Sequence, residues 1–223
     1  PAPRLKDKAV VLFAADHHIA DHGLSLTSTD VTYIQTRNFL QGGGTINAFT
    51  RNAGARLSVV DVGVNYDFGD LPGLVKRKVM HGANDFSRGP AMTREQALEC
   101  LQVGIDMARE EKARGLDIVA AGEMGIGNTT PSSAIVAVLT GTPVETVTGR
   151  GSGVKGEVIR KKIELIEQGI ALNNPDPSDA IDVLAKVGGP EIGAMAGLML
   201  GAASLRVPIV IDGFIAGAAA AIA

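Results

Sequence analysis

The stretch 116–140, LDIVAAGEMGIGNTTPSSAIVAVLT, decides the fold. Its first part, LDIVAAGE, is a short apolar run of the kind that forms a strand buried on both faces. Its last part, SSAIVAVLT, predicts a helix, and a glycine-rich loop joins the two. A strand, a loop and a helix in this order predict one unit of a parallel α/β sheet.

Three more apolar runs repeat this signal: AVVLFAAD at 9–16, LSVVDVG at 57–63 and VPIVIDG at 207–213. Helical patterns lie between the runs, the longest at 93–115. Strands that alternate with helices predict a doubly wound, parallel sheet with right-handed crossovers. Among helix starts, Thr93 is the expected N-cap of the long helix, and Pro131 and Pro190 are the expected first residues of two others.

Composition excludes several classes of protein. The 223 residues are 45% apolar and 20% charged, which predicts one globular core in a single domain over 1–223. A net charge of −3 without a basic run disfavours nucleic acid. The single cysteine, Cys100, and the lack of a secretory signal favour the cytoplasm. Arg206 and Asp212 break the final apolar stretches into pieces shorter than the roughly 20 residues that a membrane span requires.

Each predicted strand carries a carboxylate near its end: Asp16, Asp61, Glu123 and Asp212. Ligands of parallel sheets bind at the carboxyl ends of the strands, so several of these acids should converge there. Carboxylates that lie close together raise one another's pKa, which suits acid–base chemistry or the binding of a cation. We interpret Asp61 as a turn cap, and favour a functional role for Glu123 and Asp212 because glycines flank both.

The loop after the third predicted strand has the features of a phosphate-binding loop. Gly125 and Gly127 expose backbone N–H groups, Thr129 and Thr130 add hydroxyl groups, and the following helix begins with a dipole that favours an anion. The spacing matches neither the Walker motif nor the dinucleotide fingerprint. A plain tight turn is the alternative, but Glu123 at the loop entrance favours a sugar phosphate.

A second glycine loop, GRGSG at 149–153, precedes a helix with Arg160, Lys161 and Lys162. Alone, this pattern predicts a loop followed by a solvated basic face. Together with the first loop, it could supply the cation that balances a bound phosphate.

The histidine-rich segment 16–22, DHHIADH, would suit a metal only if His18 and His22 shared one face of a helix. Gly23 and the turn-like residues after it oppose a helix. We therefore predict no metal site and interpret His17 as a hydrogen-bonded residue at the strand exit.

Eight blocks of the sequence, in order, carry a resemblance to a known family: FAADHHIADHGLS, VTYIQTRNFLQGGGTINAF, VVDVGV, GPAMTREQA, GEMGIGNTTPSSAI, GRGSGV, VGGPEIGAMAGLMLGAA and RVPIVIDGFIAGAAA. Together they closely resemble the nicotinate-nucleotide:dimethylbenzimidazole phosphoribosyltransferase family, which builds the lower nucleotide loop of cobalamin. The resemblance covers nearly the whole chain.

The resemblance implies transfer of the ribosyl 5-phosphate of nicotinate mononucleotide to a benzimidazole nitrogen with inversion, which releases nicotinate and gives α-ribazole 5-phosphate. It implies no metal and no cofactor. The fold implied is a Rossmann-like, three-layer α/β/α domain with a mostly parallel sheet. A homodimer is also implied.

The resemblance also assigns roles to residues. Glu123 faces the substrate as the catalytic residue, the amides after it and Lys162 hold the phosphate, and Thr27 and Gln35 border the pocket for the aromatic base. The candidates for phosphate and ribose binding are Gly125, Gly127, Asn128, Thr129, Thr130, Gly151, Ser152, Gly153, Lys162 and Asp212. The candidates for the base pocket are Asp16, His17, Thr27, Gln35 and Met124.

Two departures from the family pattern bear on function. His18 replaces the glycine of the usual Asp-His-Gly, and the usual Tyr-Pro after the serine is absent, so the accepted base stays open. Family members continue past the equivalent of Ala223 into a Gly-Glu-Gly-Thr-Gly motif that carries the catalytic base, and their N-terminal helical arm is longer. The alternative function is therefore a non-catalytic protein that binds α-ribazole phosphate or a base.

Overall fold

The computed structural model describes residues 5–151 and 153–223. Within them, five strands form one parallel sheet in the order β3-β2-β1-β4-β5. This confirms the predicted α/β fold with a parallel sheet. The strands are β1 (Lys8–Ala15), β2 (Ala55–Gly63), β3 (Leu74–Lys76), β4 (Ile118–Met124) and β5 (Ile209–Val210).

Helices cover both faces of the sheet, as the three-layer prediction requires. On one face Leu12 and Val59 pack against Phe39 and Ile46 of the first two helices, and on the other Phe13 belongs to a large core shared with the later helices. The helices of the described residues are α1 (Val31–Leu40), α2 (Thr45–Ala53), α3 (Arg94–Ala113), α4 (Thr129–Thr140), α5 (Val144–Val147), α6 (Glu157–Asn173), α7 (Ala180–Val187), α8 (Pro190–Ser204) and α9 (Gly213–Ile222), with a short 3-10 helix at His18–His22.

The strand order places a crevice beside the centre of the sheet. The chain leaves β1 towards β2 on one side, and β4 pairs with β1 on the other side. The order therefore reverses between β1 and β4. Crevices at such a reversal, at the carboxyl ends of the strands, are where doubly wound sheets bind ligands.

The structure differs from the predicted strands in two places. β3, with three residues at the edge of the sheet, was not predicted. The run 207–213 forms a strand only at Ile209–Val210. Pro208 has no N–H for the ladder, and Asp212 is already the N-cap of α9, so the strand is short at both ends.

Helix starts followed the predicted chemistry, with one exception. The Thr93 hydroxyl accepts from the Gln96 N–H at 3.1 Å, and Gln96 accepts from the Thr93 N–H at 2.9 Å, which confirms a capping box. Pro190 is the first residue of α8, as predicted. Pro131 is the third residue of α4, which begins at Thr129. Proline is tolerated there because N–H groups of the first turn have no intrahelical acceptor.

Helices α3 and α8 cross at backbone contact distance. A methyl group at Gly197 would lie 1.9 Å from the Leu101 carbonyl oxygen, and one at Gly104 would lie 1.9 Å from the Ala194 carbonyl oxygen. The apolar helix α8 is accordingly buried in the core. In the part of the chain that the structure describes, no helix combines the length and apolar character needed to cross a membrane.

Candidate phosphate- and sugar-binding site

The loop between β4 and α4 needs its glycines for close packing. Gly127 has φ of +89°, and a methyl group there would lie 2.6 Å from the Ala20 side chain. A methyl group at Gly125 would lie 2.6 Å from the Ala15 carbonyl oxygen. The loop therefore packs closely on the end of β1 and on the 3-10 helix.

The N–H groups of this loop divide into paired and free donors. The Asn128 and Thr130 N–H groups make turn bonds within the loop, and the Ile126 N–H donates to the Thr32 hydroxyl at 3.2 Å. Among the described residues, no hydrogen bond uses the N–H of Gly127 or Thr129. Two backbone donors at or just before the first residue of α4 thus have no hydrogen-bond acceptor among the described residues, as is usual at a helix N-terminus.

Lys162 lies at the same helix end. Its side chain is 1% exposed, and Nζ donates to the Thr129 hydroxyl at 2.7 Å, with the Gly149 carbonyl oxygen at 3.5 Å. No ion pair within residues 5–151 and 153–223 includes Lys162. Burial lowers the pKa of Lys162 to about 8. Of the two alternatives that the sequence left open for this helix, the solvated basic face fits Arg160 and Lys161, which are exposed, but not Lys162, which is buried.

A cavity of about 560 Å³ opens beside this lysine and threonine. The second glycine loop forms its other wall, so the structure brings the two predicted loops together. Its lining residues are Thr129, Thr146, Val147, Thr148, Gly149, Gly151 and Phe214. Ser152 lies outside the described residues, and Gly153 has φ of +103° at the end of the loop.

Glu123 lies at the end of β4, half-buried. Its Oε2 accepts from Asn128 Nδ2 at 2.5 Å. Burial raises the pKa of Glu123, and the charge of Glu191 raises it further, whereas the Asn128 hydrogen bond lowers it. With Asp212, Glu123 borders a groove of about 550 Å³ with apolar walls that include Phe49 and Val210.

Asp16 and His17, predicted for the base pocket, are buried at the end of β1. His17 Nε2 and Glu191 Oε1 are 2.6 Å apart. Burial alone lowers the pKa of His17, but the Glu191 carboxylate raises it, and the result lies above the ordinary value. Burial raises the pKa of Asp16. Both residues border a cavity of about 160 Å³ that also contacts His18 and Tyr33.

The other base-pocket candidates do not line that cavity. Thr27 is exposed and its hydroxyl bonds with Ser25 at 3.2 Å. Gln35 accepts from Asn38 at 3.0 Å, and Met124 packs with the apolar cluster on the α1 face of the sheet. The five candidates are therefore divided among separate environments in this structure.

Asp61 and the histidine-rich segment 16–22 were also interpreted from the sequence, and both make structural contacts. Asp61 accepts from the Val64 N–H at 2.9 Å and pairs with Lys78 at 2.9 Å, which is the geometry of a turn cap. The segment with His18 and His22 forms a short 3-10 helix where we expected no helix, and Gly23 ends it with φ of +73°. Among the residues that the structure describes, no group of three His, Cys, Asp or Glu side chains is arranged to hold a metal ion.

Sequence reasoning missed Glu191. This residue is fully buried in the first turn of α8, and it contacts His17 from 174 positions away. An acid directly after Gly-Gly-Pro is an ordinary helix start, so the local sequence carries no signal of this contact.

The doubly wound, parallel sheet with glycine loops at the carboxyl ends of its strands defines a class of α/β proteins whose ligands bind at that edge of the sheet. Residues 1–223 match a family model described as phosphoribosyltransferase, and the chain belongs to this family.

Relatives with known names support this membership. The chain is 54% identical over 222 residues to nicotinate-nucleotide–dimethylbenzimidazole phosphoribosyltransferase of Geobacter sulfurreducens, covering 100% of this chain and 63% of the relative. It is 54% identical over 221 residues to the protein of that name from Roseiflexus sp., covering 99% and 63%. The crystal structure of CobT from Thermus thermophilus superposes with a TM-score of 0.94 at 42% identity, covering 99% of this chain and 66% of that chain. The chain thus spans somewhat less than two thirds of these relatives.

Proposed function

We propose that this chain belongs to an enzyme that transfers the 5-phosphoribosyl group of nicotinate mononucleotide to a benzimidazole-type base, giving α-ribazole 5-phosphate and nicotinate, in cobalamin biosynthesis. The names of its relatives support this reaction. The single observation that carries the proposal is Lys162, a buried cation that no described carboxylate neutralises.

A phosphate group would supply the negative charge and the hydrogen-bond acceptors that this site lacks. A buried ammonium group without a counter-charge is costly, because burial removes the water that stabilises it. A phosphate beside Thr129 would supply negative charge to Lys162 and acceptors to the free N–H groups of Gly127 and Thr129. The cavity beside Thr129 has room for the rest of a nucleotide, since pockets of 300 to 1,000 Å³ commonly hold small ligands.

Glu123 suits the chemistry at the sugar. The bond between C1′ and the nicotinate nitrogen breaks, a bond between C1′ and the azole nitrogen forms on the opposite face, and C1′ gains positive charge in between. A carboxylate held by Asn128 can stabilise that charge. The proton of the azole nitrogen passes to a base, which the resemblance assigns to the glutamate of the Gly-Glu-Gly motif.

The homodimer and the cytoplasmic location belong to the proposal as well. Family resemblance supports the dimer, and the single cysteine supports a reducing compartment. Sedimentation equilibrium of the purified chain would give twice the monomer mass if the dimer forms through these residues. A monomer mass at micromolar concentration would contradict that part of the proposal.

The experiment combines two measurements on the same chain: calorimetric binding of nicotinate mononucleotide, and chromatographic detection of nicotinate after addition of 5,6-dimethylbenzimidazole. Lys162→Met should weaken binding at least tenfold, because it removes the phosphate's counter-charge. Lys161→Met, in which the adjacent exposed lysine is replaced, is the matched control and should bind normally. Glu123→Gln should slow transfer more than it weakens binding.

Equal affinities of the Lys162→Met and Lys161→Met variants would contradict the assigned phosphate site. Binding of nicotinate mononucleotide without any release of nicotinate, in a protein that also carries the family's Gly-Glu-Gly segment, would support the alternative, a non-catalytic binding protein. Failure of the unmodified chain to bind the nucleotide would contradict the proposed function itself.

A further inference from the structure

A buried histidine–glutamate pair lies beside the loop after β4, and the proposed reaction does not use it. The His17 side chain is 1% exposed and that of Glu191 is 0% exposed, with Nε2 and Oε1 2.6 Å apart. Within residues 5–151 and 153–223, the remaining polar atoms of the pair, His17 Nδ1 and Glu191 Oε2, are buried without a hydrogen-bond partner. A polar pair this deeply buried calls for an explanation, because buried polar groups are costly.

The pair lies beside the backbone of Gly125, which also adjoins the side chain that holds Glu123. A methyl group at Gly125 would lie 3.2 Å from Glu191 Oε1 and 3.3 Å from Asn128 Nδ2. Glu191 therefore packs against the loop at Gly125, next to the Asn128 amide. Asn128 Nδ2 in turn donates to Glu123 Oε2 at 2.5 Å.

Position and surroundings favour a charged pair. Glu191 lies in the first turn of α8, where the helix dipole stabilises a carboxylate. A fully buried carboxylate needs a cation, and among the described residues His17 is the one that forms an ion pair with it. The other titratable groups that face the pair are Asp16 at the end of β1, Glu123 at the end of β4 and Cys100 on α3. None of these can supply a positive charge, so the imidazolium form of His17 is the form that balances the cluster.

The backbone leaves room for this pair. A methyl group at Gly189 would lie 2.3 Å from His17 Cε1 and 3.1 Å from Glu191 Oε2. Glycine at 189 is therefore required by the imidazole ring rather than by its own backbone angles, since its φ of −161° is ordinary extended backbone.

We propose that His17 and Glu191 are a positioning pair: an imidazolium and a carboxylate that together hold Gly125 and Asn128, and through Asn128 the Glu123 carboxylate, in the orientation that receives the sugar of the nucleotide. The pair acts on the sugar through these residues. The role towards the sugar rests on the proposed function, whereas the charge of the pair does not.

The first test uses nuclear magnetic resonance of the unliganded full chain with ¹⁵N-labelled histidine and asparagine. At pH 7 both ring nitrogens of His17 should carry protons. In Glu191→Gln, which keeps the shape but removes the charge, His17 should lose its proton at pH 7, and the Asn128 side-chain amide signal should shift. Glu95→Gln removes an exposed carboxylate from the first turn of α3 and is the matched control, with no change in either signal.

A neutral His17 at pH 7 in the unmodified chain would overturn the charged pair. An unshifted Asn128 amide in folded Glu191→Gln would overturn the positioning role. Because neither result needs a ligand, both hold even if the proposed function fails.

The second test separates charge from packing. His17→Gln leaves the Glu191 carboxylate buried without a cation, so its melting temperature should fall, and the double variant His17→Gln/Glu191→Gln should recover part of the loss. A double variant that melts at or below His17→Gln would contradict a charge pair. Glu191→Gln should also weaken binding of nicotinate mononucleotide at least fivefold, whereas Glu95→Gln should not. Equal affinities in these two variants would contradict the role towards the sugar.

Discussion

Lys162 is a buried lysine that lies beside the start of α4. Its ammonium group is buried beside the Thr129 hydroxyl, and burial holds its pKa at about 8, below the usual value for lysine. The folded chain therefore releases this proton more easily than the unfolded chain does. Binding of an anion should reverse the shift, because an adjacent negative charge stabilises the ammonium form.

Binding of nicotinate mononucleotide should accordingly weaken as the pH rises above about 8, because the neutral amine no longer attracts the phosphate. Calorimetry between about pH 7 and about pH 10 measures this change, because that range begins below the pKa of Lys162 and ends near the usual pKa of lysine. Lys162→Met should bind weakly at every pH. An affinity that stays constant through this range in the unmodified chain would show that Lys162 does not contact the phosphate.

The free energy of unfolding should also depend on the protonation of Lys162, but it should rise with pH, whereas the affinity for the nucleotide falls. Below about pH 8 Lys162 is charged in the folded and unfolded chain alike, and its burial is unfavourable. Between about pH 8 and about pH 10.5 the unfolded chain keeps a proton that the folded chain has lost, so this residue makes the free energy of unfolding rise with pH. Urea denaturation of the unmodified chain and Lys162→Met should show this rise in the first and not in the second. Parallel curves would contradict the assigned pKa.

Gly127 permits a third prediction at the scale of single residues. Left-handed backbone strain alone costs a non-glycine residue about 1–2 kcal/mol. Gly127→Ala should lower the free energy of unfolding by more than this, because the new methyl group would also clash with Ala20. Gly141→Ala is the control, since Gly141 has φ of +65° with nothing within 4 Å of an added methyl group. Urea denaturation compares the two variants. Equal losses would show that the loop does not pack on the 3-10 helix as described.

Local chemistry made part of the site predictable at this scale. Gly125, Gly127 and Thr129 were identified because glycines and hydroxyl residues before a helix have a local signature. The contact between His17 and Glu191 was not, because 174 positions separate them and only the folded chain brings them together. The burial of Lys162 was missed for a similar reason: two exposed basic neighbours gave the appearance of a solvated face.

At the scale of elements, the pair α3 and α8 depends on glycine for its close crossing. Gly197→Ala should lower the free energy of unfolding by about 1–3 kcal/mol or more, because the methyl group would lie 1.9 Å from the Leu101 carbonyl oxygen. Gly217→Ala in α9, with open space around the added methyl group, should raise stability by about 0.5–1 kcal/mol through helix propensity. Thermal denaturation tests both variants. A neutral or stabilising Gly197→Ala would contradict the described helix contact.

The elements themselves were predictable where they were long. Runs such as 9–16 and 57–63 are apolar because β1 and β2 are covered on both faces, and that cover leaves a clear pattern in sequence. β3 has only three residues, too few to show any periodicity. The shortening of β5 follows from Pro208 and Asp212, whose effects compete with an otherwise strand-like run.

At the scale of the whole molecule, the groove beside Glu123 leaves apolar side chains open. Phe49 is 69% exposed and Ile211 is 51% exposed on its walls. Such clustered exposure binds hydrophobic dyes. Phe49→Ser should reduce the fluorescence of an anilinonaphthalene dye bound to the chain, because it removes apolar area from the groove. Leu172→Ser, at a residue 56% exposed on α6 outside the groove, should have little effect. Equal reductions would contradict a continuous apolar groove.

The order of the strands decides which loops can act together, and the sequence did not contain that order in readable form. β4 and β1 pair although more than a hundred residues separate them, which brings the ends of both strands and the start of α8 to one crevice. Alternation of strands and helices predicted the class of fold. The full sheet order and the burial of α8 needed the three-dimensional structure.

The most direct test of the central claim is a crystal structure of this chain with nicotinate mononucleotide. We expect the phosphate within hydrogen-bond distance of Lys162 Nζ and of the Gly127 and Thr129 N–H groups, with C1′ of the ribose facing Glu123. A phosphate bound elsewhere, with Lys162 still donating to the Thr129 hydroxyl and no ligand atom at those N–H groups, would contradict the account.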